Sequence, residues 1–132
     1  MREEEPRRSH PIRPRDWHKL LPFEAEATSD RLGWVGLEAL RCRTAPAFEL
    51  NPPALTHHRL VLFIRPPEEF DLRYEGVKRH VAPPAGAIML VPAGTPARVR
   101  SSGRRDQLHI FLEPGLVGRV AAEAFGDRKS VV

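Results

Sequence analysis

The chain has one cysteine, three lysines and one tyrosine in 132 residues, and no uninterrupted hydrophobic run exceeds five residues. Each scarcity excludes something. A lone Cys42 cannot form an intramolecular disulfide, which fits a reducing, cytoplasmic setting. Without an apolar stretch near the roughly 18 residues of a membrane span, no membrane partner is expected, and the N-terminus holds no signal-peptide core. Lysine is rare because arginine replaces it, eighteen times. That bias fits a GC-rich coding sequence. The net charge of +4 is dispersed among acids, so nucleic-acid binding by this segment alone is not expected.

Proline and glycine are plentiful instead, at 14 and 9, and they punctuate a series of short apolar runs. Residues 32–44 alternate, with Val35, Leu37 and Ala39 on one face, and read as a first long strand. His58–Arg65 holds five consecutive apolar residues between charges and reads as a central strand buried on both faces. Phe70–Tyr74 and Val77–Val81 flank Glu75-Gly76, a two-residue hairpin turn. Gly86–Val91, Ala97–Ser101 and Gln107–Leu112 follow, separated by Pro92-Ala93-Gly94 and Ser102-Gly103. Pro114 then opens a helix whose apolar stripe is Leu116, Val117, Val120, Ala121, Ala124 and Phe125. Short strands at close spacing with turns between them predict a mostly β sandwich or barrel, here with one C-terminal α-helix.

The two ends differ from this body. Residues 1–15 are charged and proline-rich and cannot bury enough surface to offset their ordering entropy, so a disordered arm is expected. Asp16 is placed to cap one helical turn that directs Trp17, Leu20 and Leu21 downward. At the other end, residues 127–132 (Asp-Arg-Lys-Ser-Val-Val) reproduce the translation of a common sequencing adapter, GAT CGG AAG AGC GTC GTG TAG, including its stop. The expectation is an artefactual tail, with the native frame continuing after about residue 126.

The spacing Gly86-x5-Pro92-x-Gly94-x-x-Ala97 resembles the second motif of the cupin barrels, whose metal-binding members carry an inward histidine where Ala97 stands. Together with residues 57–67 (HHRLVLFIRPP) and 108–114 (LHIFLEP), it makes residues 17–125 similar to the N-terminal domain of AraC/XylS-family transcription regulators. The resemblance implies a cupin-like (double-stranded β-helix, or jelly-roll) barrel over residues 16–113 and the start of a helical linker over 114–126. It further implies a pocket for a small-molecule effector, a capacity to form homodimers, and DNA contact only through a C-terminal helix-turn-helix domain absent from this sequence. The competing reading is a stand-alone small cupin enzyme or sugar-binding cupin.

Metal chemistry needs several inward ligands. His58 is followed by Leu60 where the first cupin motif places a second histidine, Ala97 replaces the later one, and His57, His80 and His109 lack a matching spacing. No metal, no cofactor and no catalytic residue is therefore expected. The cupin register places His58, Leu60, Leu62, Ala97 and Val99 inward as candidate ligand-binding residues, with His58 the single polar group. Those positions could line either a ligand pocket or a collapsed core. Strand alternation sends Arg98 and Arg100 outward, to solvent or to an anionic partner. Cys42 reads as a small buried hydrophobe.

Overall fold

The computed structural model describes residues 10–43, 47–102 and 104–126. A short helix α1 (Pro14–Lys19) leads into nine strands: β1 (Ala27–Thr28), β2 (Leu37–Cys42), β3 (Phe48–Leu50), β4 (His58–Arg65), β5 (Phe70–Tyr74), β6 (Val77–Arg79), β7 (Ile88–Val91), β8 (Arg98–Ser101) and β9 (Asp106–Leu112). Helix α2 (Pro114–Phe125) follows. The strands form two sheets, a five-stranded one in the order β1-β2-β9-β4-β7 and a four-stranded one in the order β3-β8-β5-β6. Every strand pairing within them is antiparallel. Strands next to one another in sequence mostly lie apart in a sheet, as in a jelly roll.

Side-chain alternation decides what lies between the sheets. Along β4 the buried residues are Arg59, Val61 and Phe63, and along β9 they are Gln107, His109 and Phe111. Val61, Phe63, Phe70, Leu72, Val91 and Ala97 make one core cluster. Phe63 and Phe70 meet edge to face, their ring centroids 5.7 Å apart. A second cluster of Trp17, Leu40, Cys42, Leu55 and Phe111 lies beside it, with Ile12, Leu21 and Phe23 packed against it. The N-terminal segment therefore belongs to the core.

This differs from the expectation of a disordered arm through residue 15. Ile12 N–H donates to the Ala54 carbonyl, and Thr56 N–H donates to the Ile12 carbonyl, both at 2.8 Å. Pro14 occupies the first turn of α1, so the helix starts earlier than an Asp16 cap implies. Residues 1–9 of that arm, and residues 127–132, lie outside the described residues.

The first strand is shorter than expected. Residues 29–36 form a turn, closed by Leu32 N–H donating to the Ser29 carbonyl at 2.9 Å, and Trp34 and Val35 are exposed. Nor is β4 buried on both faces. His58, Leu60 and Leu62 share an outer face that is only half-buried, and Ile64 is exposed. The hairpin turn sits where expected: Glu75 and Gly76 have φ of 44° and 76°, both positive as a type I′ turn requires. Helix α2 begins at Pro114 and has no fully buried residue. It is tied to the sheet at Gly36, whose carbonyl accepts from Glu113 N–H at 2.9 Å. A Cβ at Gly36 would come within 3.3 Å of the Leu116 side chain.

Candidate functional site: an arginine-lined interior

The space between the sheets is not uniformly apolar. A narrow cavity of about 30 Å³ offers room for about two waters. Its polar lining comes from Arg59, Ser101, Arg105, Gln107 and His109, and its apolar lining includes Trp17, Phe63, Leu72 and Met89. A smaller void of about 10 Å³ lies against Trp17, Arg59, Ala97 and Val99.

Strand pairing explains why these polar groups meet. Arg59 opposes Phe111, Val61 opposes His109, and Phe63 opposes Gln107 across β4 and β9. All six therefore point to the same side of the sheet. Arg105 enters from the residue just before β9.

Arg59 is 6 % exposed, and its guanidinium carbon lies 5.0 Å from the Trp17 ring centroid. Its Nε is buried without a hydrogen-bond acceptor, and no carboxylate pairs with it among the described residues. Burial pulls its pKa down to about 10, still far above neutrality, so Arg59 stays charged in the interior. Arg105, 4 % exposed, stacks over Phe48 at 4.4 Å and Phe23 at 4.8 Å and donates from Nη1 to the Ser102 carbonyl at 3.3 Å. Cation–π contact offsets part of the desolvation of each guanidinium.

His109 lies between them in electrostatic terms. Burial first, then Arg59 and Arg105, hold its pKa well below the usual histidine value, so it is neutral. Its Nε2 is 3.2 Å from Gln107 Oε1. That partner assigns the proton to Nε2, and Nδ1 is left buried with no partner. Cys42 is buried, and desolvation pushes its thiol up to about 11. It remains protonated and serves neither as a counter-charge nor as a nucleophile at neutral pH. Asp106, the nearest acid in sequence, faces away and is held by Arg41, which donates from Nε at 2.9 Å and Nη2 at 2.7 Å.

The expected inward set is split by this arrangement. Ala97 is buried and Val99 half-buried, and both face the interior. His58, Leu60 and Leu62 do not, because β4 is turned by one residue relative to the expected register. A one-residue shift sends every side chain to the opposite face. His58 instead accepts from Ala93 N–H through Nδ1 at 3.0 Å, bracing the β7–β8 turn. Arg59, its neighbour, takes the inward place. A buried arginine runs against the usual burial ranking, which is why its sequence position alone gave no signal.

The metal-ligand types do not converge. His57 bonds Thr56 Oγ1 at 2.8 Å, exposed His80 sits 3.6 Å from Asp71, and His109 and Cys42 point inward beside two guanidiniums. No group of three His, Cys, Asp or Glu could hold an ion among the described residues. The inner wall does not fit the metal that many cupins carry, since fixed positive charge there repels a cation. The outward arginines meet acids, Arg98 with Glu49 and Arg100 at 3.9 Å from Asp71.

No protein-family model and no curated protein sequence matches the chain. Solved structures do. A cupin domain from Bordetella pertussis is similar over 65 % of this chain and 91 % of its own, at 12 % identity and a TM-score of 0.50. A Cupin 2 conserved barrel domain protein from Salinispora arenicola is similar over 79 % and 80 %, at 16 % identity and 0.49. A cupin superfamily protein from Desulfitobacterium hafniense gives 67 % and 72 %, at 19 % and 0.48. The fold is a cupin-like barrel, mostly β, with a C-terminal helix. At these identities the likeness is one of fold alone. No helix among the described residues is long and apolar enough to cross a membrane.

Proposed function

We propose that this chain is a regulatory module, the ligand-sensing and self-associating half of an AraC/XylS-type transcription regulator, and that it catalyses no reaction. The observation that carries the reading is the composition of the inner wall. Ala97 and Val61 stand on the walls while arginine supplies the charge. Such a wall suits binding and orienting a ligand, and its fixed positive charge disfavours a bound cation. Cys42 is protonated and His109 has its lone pair buried beside two cations, so neither suits acid–base work at neutral pH.

Self-association is supported by the outer face of the five-stranded sheet, where Leu60, Leu62, Leu108 and Ile110 are half-buried and Ile88 and Leu90 are exposed. In this reading contact with DNA belongs to a separate domain, and the barrel works in the cytoplasm by changing how two such domains are held.

The test is a fusion of this chain to a DNA-binding head that represses a reporter only as a dimer. The fusion should repress, and a small molecule that raises the melting temperature of the isolated chain should alter that repression and be recovered chemically unchanged. A monomeric fusion that never represses, or a bound molecule recovered as a product, would overturn the proposal in favour of a small enzyme.

A further inference from the structure

The interior holds a positive charge that nothing among the described residues neutralises, and that points to what belongs there. Arg59 is buried between the sheets, and among the described residues its Nε has no acceptor and its guanidinium lies over the face of Trp17. A buried cation is ordinarily paired or hydrogen-bonded, because removal from water is costly. Arg59 instead borders both voids, the one of about 30 Å³ and the one of about 10 Å³. Arg105 and Ser101 also line the larger void, Ser101 from the facing sheet. An unpaired buried charge costs stability, and an anion seated against it would offset that cost.

We propose that the cavity beside Arg59 is a binding site for a short-chain monocarboxylate, whose carboxylate lies against the Arg59 guanidinium and whose alkyl end lies among Leu72, Met89 and Val99. The guanidinium fork matches a planar carboxylate in a bidentate manner. The apolar side of the cavity suits a hydrocarbon tail and offers an inorganic anion nothing. The volume of about 30 Å³ holds about two waters, so a ligand of propionate's five heavy atoms, among the smallest of its class, enters only as side chains such as Met89 shift. This inference rests on the ligand-sensing reading and names its ligand class, but it can be tested without DNA or a reporter.

Propionate is the probe, with propionamide as its neutral isostere and inorganic phosphate as the non-planar anion. Trp34 is exposed, so the W34F variant leaves Trp17, in contact with Arg59, as the sole tryptophan, excited selectively over Tyr74 at the red edge of its absorption. Propionate should quench or shift Trp17 emission saturably and raise the melting temperature, while propionamide and phosphate do neither. Arg59→Met should bind propionate at least tenfold more weakly, yet melt no lower than the parent when both are ligand-free, since the substitution removes an uncompensated buried charge. Should that variant not fold, Arg59→Lys keeps the charge without the fork and should bind more weakly in the same assay. Equal responses to propionate and propionamide, a response to phosphate alone, no response to any of the three, or a folded Arg59→Met (or, in its place, Arg59→Lys) that binds propionate as tightly as the parent would each overturn the proposal. A working dimer-dependent fusion with no propionate response would sink this inference and leave the regulatory reading. Propionate binding with a silent fusion would do the reverse.

Discussion

His109 carries the clearest pH signature of any single residue. In the unfolded chain its pKa returns to about 6.5, while in the fold burial, Arg59 and Arg105 hold it well below that. Between the two values the unfolded chain takes up a proton that the native state refuses. Stability therefore falls as pH drops below about 6.5. His57, also lowered by burial, contributes in the same window. Asp106 and Glu49 act elsewhere: Arg41 and Arg98 hold them below the usual carboxylate range, so their contribution is lost only as pH falls through those lower values. Urea denaturation between pH 7 and 5 should show a falling midpoint, and His109→Gln should flatten that slope. An unchanged slope in the variant would show that His109 is not buried neutral. At this scale the sequence was a poor guide. Leu60–Ile64 is apolar on both phases, so nothing in it says which residues face inward, and a histidine at position 58 was a more familiar inward group than an arginine at 59. Ala97 and Val99 were legible because Arg98 and Arg100 alternate with them.

Whole strands were easier to read than their phase. His58–Arg65, Phe70–Tyr74 and the helix from Pro114 stand where turn residues and prolines bound them, because those signals are local. The failures arise where tertiary contact overrides composition. Ile12 is held by backbone bonds to Ala54 and Thr56, partners more than forty positions away, and Trp17 by a core it helps to complete. The β5–β6 hairpin gives a prediction of its own. Gly76 has φ of 76°, and a Cβ there would meet nothing within 4 Å, so any penalty is conformational and not steric. Gly76→Ala should destabilise by about 1 kcal/mol, the usual cost of the left-handed region for a residue with a Cβ. Gly76→Asn should cost less, since asparagine tolerates that region. Equal denaturation midpoints for Ala and Asn would contradict a type I′ turn.

At the scale of the molecule, the five-stranded sheet presents an outer face that does not look like a solvated one. Cross-strand pairing sets Leu60 opposite Ile110 and Leu90, and Leu62 opposite Leu108 and Ile88. These six aliphatic side chains make one contiguous surface. Ile88 is 65 % and Leu90 49 % exposed, whereas the acidic and basic residues of the other sheet pair with each other around Glu49, Asp71, Arg98 and Arg100. Contiguous exposed apolar area is the usual mark of a contact site. A second copy of the same chain is the occupant consistent with the regulatory reading, and a two-fold arrangement would set each patch against its twin. Helix α2, with Val120 and Phe125 exposed, offers a second apolar surface. The two surfaces can be told apart. The double variant Ile88→Lys/Leu90→Glu changes side chains that are already largely in water, so its melting temperature should shift by no more than a few degrees. Sedimentation velocity should nevertheless show a dimer in the parent and a monomer in the variant, while Val120→Lys leaves the dimer intact. If V120K alone yields the monomer, the helix is the interface and the sheet face is not.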